Sequence, residues 1–366
     1  MKIVIFGMTI SSSWGNGHAT LWRGLCKSLI RMGHDVVFYE ADRPYYAEMR
    51  DFAELEGGRL EIYPDWDSVR ARAASDAADA DVAMVTSYCE DSLEVGRLIL
   101  EQSRALRVFY DLDTPVTLAR LDAGEHVPYI DAASFGAFDL VLSYSGGRSL
   151  GVYRDRLGAR RVAPLYGHVD PDLHRPQPAA AHYRCDLSYL GTYSDDRQQR
   201  LVELFVEPAR SCPDRRFLLA GAQYPQEFPW APNIYFVRHL PPAEHSTFFC
   251  SSRLTLNVTR GPMAEMGWCP SGRLFKAAAC GVPLISDAWH GLDEFFKPAE
   301  QIIVAESTSD VIAALDLSDH ELNAMAAHAR ERVLQNHSSR QRAAEMVALF
   351  EQPFAPRQVH HLIAEG

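Results

Sequence analysis

The sequence predicts an α/β protein made of two doubly wound domains, each an open, mostly parallel sheet with helices on both faces. Three observations carry this. Short apolar runs alternate with segments of helical spacing along nearly the whole chain. The alternation breaks once, at residues 167–181, where Pro171, Pro176 and Pro178 crowd a polar stretch with His168 and His174. A length of 366 residues also suits two domains better than one, at roughly 150 residues per domain. The expected organisation is an N-terminal domain over residues 1–166, a linker at 167–181, a second domain over 182–336, and a final helix and tail over 337–366.

In the first half, residues 2–10 form a continuous apolar run, the pattern of a strand covered on both faces. A loop bearing Gly15 and Gly17 follows. Leu21, Leu25, Leu29 and Ile30 then recur at helical spacing, before a second strand at 36–39. Strand, loop, helix and strand in this order make a βαβ unit. Helices are expected at 44–55, 67–77, 92–104 and 148–157, and one begins at Pro115. Strands are expected at 60–63, 82–87, 107–111, 140–144 and 162–166.

In the second half, strands are expected at 186–190, 217–220, 234–237, 254–258 and 302–304. Helices are expected at 195–212, shortly after Pro242, and over 309–315, 319–335 and 340–350. The stretch GWCPSGRLFKAAACGVPLISD (267–287) is the most informative. Ser271 can cap a helix, Gly281 and Pro283 end it, and residues 282–285 read as a buried strand. A helix start offers unpaired N–H groups and the positive end of a dipole, which suits a phosphate.

Composition excludes several classes. Hydrophobic residues make up 47% and charged residues 23%, the balance of a globular protein. A formal charge of -12 argues against nucleic acid as a partner. Seven dispersed cysteines without a C-x-x-C pair suggest reduced thiols and a cytoplasmic setting. No signal peptide is visible, and no apolar run approaches the ~20 residues of a membrane helix. Contact with the inner face of a membrane would therefore be peripheral.

Ligands of open α/β sheets bind beyond the carboxyl ends of the strands, and the unusual residues fall there. Gly191, Thr192, Tyr193 and Arg197 follow the first strand of the second half; Gly191 permits close backbone approach, and Arg197 converges with Arg273 as a cation pair. Gln223, His239, Asn257 and Arg260 close three further strands, and Ser271, Arg273 and Lys276 belong to the helix start. In the first half, His18 can be a base or an anion ligand, or simply a capping or core histidine. Asp111 and Asp113 can act as a base, bind sugar hydroxyls or form a D-x-D metal site, with Asp113 also suited to capping the helix at Pro115. The glycine loop lacks the third glycine of G-x-G-x-x-G, so a dinucleotide cofactor is the lesser reading, with Glu40 its only candidate acid.

These stretches resemble the CgeB-like (spore maturation protein) branch of the GT-B glycosyltransferases. The resemblance rests on SSWGNGHAT (12–20), YDLDTPVTLARL (110–121), LYGHVDPDLHRP (165–176), YLGTYSDDRQ (189–198), LLAGAQYP (218–225), HLPPAEH (239–245) and LNVTR (256–260). It is strongest in RLFKAAACGVPLISDAWHGLDEFF (273–296). It implies a GT-B fold and transfer of a sugar from a nucleotide-sugar held by the second domain, with neither metal nor other cofactor. The acceptor would approach from the first domain, and the last helix would cross back to it. A nucleotide-sugar epimerase or a non-catalytic nucleotide-sugar binding protein shares the architecture. Three positions depart from the family. Lys276 replaces a glutamate that accepts bonds from the ribose hydroxyls, and an ammonium can only donate. Trp268 stands where retaining relatives carry a carboxylate, and Gly272 where a β-branched residue is common.

Overall fold

The structure, a computed structural model, describes residues 1–353; the end of the expected tail lies outside the described residues. The first sheet contains β1 (Lys2–Phe6), β2 (Asp35–Ala41), β3 (Arg59–Tyr63), β4 (Val82–Thr86), β5 (Leu106–Asp111), β6 (Leu140–Ser143) and β7 (Val162–Pro164). The second contains β8 (Cys185–Leu190), β9 (Phe217–Ala220), β10 (Ile234–Val237), β11 (Ser252–Asn257), β12 (Leu284–Asp287) and β13 (Ile303–Ala305). Their orders are β3-β2-β1-β4-β5-β6-β7 and β10-β9-β8-β11-β12-β13, and the named strand pairs are parallel. In each sheet the order reverses at the first strand, so the loops after β1 and β4, and after β8 and β11, part to leave a crevice. The strands read as apolar runs because both faces are covered: Ile3 and Ile5 pack into one cluster, while Val4 and Phe6 pack into the opposite one.

Four expected elements come out differently. The first strand stops at Phe6, because the following loop is pinned instead by the buried Glu40 on β2. That carboxylate accepts from the Thr9 hydroxyl at 2.5 Å, the Ile10 and Ser11 amides at 2.8 and 2.9 Å, and the Ser11 hydroxyl at 2.5 Å. Its role is to hold a loop rather than a ribose. Glu40→Ala leaves these donors unpaired and is expected to lower stability by about 3 kcal/mol in urea denaturation. The helix expected over 44–55 is only Pro44–Ala47. The chain beyond it turns back, where the Asp51 and Phe52 amides donate to the Ser11 carbonyl and the Asp51 carboxylate takes the Ser13 hydroxyl and Arg23. The helices over 148–157 and 195–212 are interrupted by π turns at Val152–Arg156 and Val202–Val206. Short helices at Gly261–Met266 and Leu292–Phe295 had no periodic signal.

The chain passes between the halves twice, at residues 165–184 and again at 337–339. The passages lie side by side, joined by a bridge between Val169 and Ser338. The Ser339–Glu351 helix then buries Ala343, Met346, Val347 and Phe350 in the cluster that holds Ile3, Leu25 and Leu29 of the first half. Gly24 makes this approach possible, since a Cβ there would fall 2.4 Å from the Ser339 hydroxyl. At the second passage His337 stacks on Phe275 with ring centres 4.7 Å apart.

Candidate functional site

The carboxyl ends of both sheets border one cavity of about 480 Å³, walled by residues from each half. On the second-half side stands the Gly272–Ala279 helix. Ser271 caps it, its hydroxyl accepting the Arg273 amide at 3.3 Å. The Arg273 guanidinium lies over the Tyr189 ring and donates to Asn257 Oδ1 at 2.8 Å. Gly191 leaves room beside it: a Cβ would sit 2.8 Å from an Arg273 nitrogen and from the Tyr189 hydroxyl and would push both side chains aside. Arg197 donates to the Thr192 carbonyl, and its Nε is shielded from solvent without a partner. Burial, and secondarily the charge of Arg197, pushes Arg273 below the usual arginine range. Both guanidiniums thus find neutral oxygens instead of carboxylates, in a protein whose net charge is -12. Two cations, neither hydrogen-bonded to a carboxylate, are chemically suited to hold an anion between them.

On the opposite wall, Asp113 is 7% exposed. Tyr88 donates its hydroxyl to Asp113 Oδ2 at 2.9 Å, and Arg260 reaches the same oxygen across the cleft at 3.4 Å. Tyr88 adopts φ of 62°, a left-handed conformation that a tyrosine rarely takes, where the strand end turns toward the cleft. Burial raises Asp113 to about 6 against the pull of Arg260. A carboxylate poised there, with Oδ1 shielded and unpartnered, can take a proton near neutral pH. His18 also faces the cavity with its Nδ1 unpartnered. Burial first, and then the Lys276 charge, lowers it to about 4, so the ring is neutral at pH 7. Lys276 extends from the helix to donate to Thr20 Oγ1 of the first half at 2.8 Å.

The structure brings most of the sequence-selected residues to this wall: His18, Asp113, Gly191, Thr192, Arg197, His239, Arg260, Ser271, Arg273 and Lys276. The others lie elsewhere. Asp111 is fully buried and turned from the cavity, accepting the Tyr153 hydroxyl at 2.5 Å and the Asp113 amide at 3.0 Å. It holds the turn that presents Asp113. Asn257 stands behind Arg273 as its acceptor. The Tyr193 hydroxyl turns to Asp195 at 2.7 Å. Gln223 is exposed at φ 67°, leaving Ala222 on the wall in its place. Sequence reasoning passed over Thr20, Tyr88, Tyr144 and His245, all of which line the cavity. Tyr88 follows and Tyr144 ends a predicted strand, so the strand-end rule could have found both; Thr20 and His245 close the stretches SSWGNGHAT and HLPPAEH but lie at helix starts, where nothing local marks them as facing the cavity.

The fold is that of the GT-B glycosyltransferases. An alpha-glucosyltransferase in complex with UDP-glucose and DNA containing an abasic site matches with TM-score 0.70 and 13% identity, over 96% of this chain and 100% of that one. Sucrose-phosphate synthase from Thermosynechococcus elongatus matches with TM-score 0.69 and 14% identity, over 95% and 98%. Anabaena HepE in complex with UDP-glucose matches with TM-score 0.67 and 13% identity, over 95% and 100%. Residues 197–348 match a family model described as glycosyl transferase-like. No curated protein matches the sequence. Among the described residues, no helix is long and apolar enough to cross a membrane.

Proposed function

We propose that the protein is a glycosyltransferase of the CgeB-like branch, moving a sugar from a nucleotide-sugar to a hydroxyl acceptor. The observation that carries this is the pair of acid-free guanidiniums, Arg197 and Arg273, at the capped start of the Gly272–Ala279 helix. A nucleoside diphosphate there meets two cations and the positive end of the helix dipole. These strengthen their hold as negative charge develops on the leaving oxygen. Gly191 and Thr192 bring backbone against the phosphates, and His239 and Arg260 border the same space. Asp113 takes the proton of the acceptor hydroxyl, helped in placement by Tyr88, and neutral His18 accepts a hydrogen bond from acceptor or sugar. Two of the similar structures hold UDP-glucose, which makes uridine nucleotides the first donors to try.

UDP and UDP-glucose are expected to raise the melting temperature by several degrees at concentrations about 100 times their Kd. Free UDP should accumulate quickly only when an acceptor is present, which separates transfer from epimerisation, and equally well in chelator. If no nucleotide-sugar or nucleoside diphosphate in a broad panel binds, this reading is wrong.

A further inference from the structure

Lys276 sits three residues beyond Arg273 on the same helix and is 8% exposed. Its ammonium has three hydrogens to donate, and Thr20 Oγ1 takes one at 2.8 Å. The charged neighbours acting on it are Arg273 and Arg23. His18, His174 and His245 feel its charge in turn. All of these are bases. Nδ1 of His18 and Nδ1 of His245, both residues of the cavity wall, are shielded from solvent and unpartnered. Burial, and after it Arg273 and Arg23, brings Lys276 down to about 8. A buried ammonium beside two guanidiniums and without a carboxylate partner is unfavourable, and an anion in the cavity offsets it. The diphosphate already has Arg197, Arg273 and the helix start. Lys276 instead bridges to Thr20 of the first half, the side from which the resemblance brings the acceptor.

We propose that Lys276, Thr20 and His18 form a second oxyanion subsite, so that a substrate carries a carboxylate or phosphate group in addition to the donor diphosphate. This rests on the transferase reading above. Lys276 supplies the charge, the Thr20 hydroxyl a second hydrogen bond, and His18 a third once a bound anion favours a proton on its Nδ1. The group belongs either to the transferred sugar, as in a hexuronate, or to a phosphorylated acceptor.

Calorimetry with matched probes separates the two sources. The donor arm compares UDP-glucuronate with UDP-glucose. The acceptor arm compares glucose 6-phosphate with glucose on UDP-loaded protein. In one arm the charged probe is expected to bind at least about tenfold tighter, one unit of log affinity for about 1.4 kcal/mol. Lys276→Gln is expected to lower affinity for that probe about tenfold more than affinity for UDP. Thr20→Val, which keeps the charge, should lower it about threefold. The subsite is refuted if UDP binds but neither charged probe is preferred. It is also refuted if Lys276→Gln weakens UDP as much as the charged probe, since the lysine then serves the diphosphate. Absence of UDP binding to the unmodified protein refutes the transferase reading, and this subsite with it.

Discussion

Arg273→Ala will weaken binding of UDP by about 100-fold in calorimetry and slow transfer by at least as much. The guanidinium is oriented twice over, by the Asn257 acceptor at 2.8 Å and by the Tyr189 ring beneath it. It therefore needs little reorganisation to grip two phosphate oxygens. Charge-assisted hydrogen bonds contribute about 1.5–3 kcal/mol each, and loss of two accounts for the fold-change. Removal of a donor aimed at developing charge typically costs about 100- to 1000-fold in rate. Arg273→Lys should recover only part of this, because an ammonium cannot make the planar two-pronged contact. Asn257→Ala tests the orientation separately: it should weaken UDP less than Arg273→Ala while leaving the cation in place. A less than threefold change in UDP affinity for Arg273→Ala would put the phosphates elsewhere.

The second large effect is on stability in acid. His18 is held at about 4 and His168, His245 and His337 at about 3, in each case chiefly by burial, and His174 is pushed well below its usual range for the same reason. The unfolded chain protonates these rings near pH 6.5, whereas the folded protein refuses the protons until far lower pH. Their neutral burial is harmless above pH 6.5, and stability is lost as pH falls from there toward 3–4. Asp113, raised to about 6, works in the opposite direction by taking a proton in the folded state first. Asp111 and Asp287 are raised as well, again by burial. With about three net protons favouring the unfolded chain near pH 5, the expected slope is on the order of 4 kcal/mol per pH unit. The melting temperature should fall by about 10 °C from pH 6.5 to 5. A flat profile over this range would mean that the rings are accessible or protonated in the folded state.

The fold was legible because its signals are local. Buried parallel strands such as β4, apolar but for its final threonine, and β9 stand out as short runs, and the cap at Ser271 and stop at Gly281 need only neighbours to act. Most wall residues were legible because a parallel α/β sheet collects strand ends on one side. What escaped depends on contacts distant in sequence. Periodicity does not distinguish a carboxylate saturated by Tyr153, as in Asp111, from one left half-free, as in Asp113. Nor does it show that Thr20, within the first helix, meets Lys276 from the far half. The helix expected through residue 55 fails for the same reason, since Asp51 prefers Ser13 and Arg23 to another turn.

The paired passages between the halves have a mechanical consequence. Two lengths of chain fastened by the rung between Val169 and Ser338 make one strap instead of two independent links. The rung ties the two passages to each other, so neither can shift without carrying the other. Phe275 is clamped on this strap through His337, while Arg273 and Lys276, on the same helix, face the cavity. One short helix is therefore fastened at its apolar face to the chain that joins the halves and at Lys276 to Thr20 of the first half, so it belongs mechanically to both.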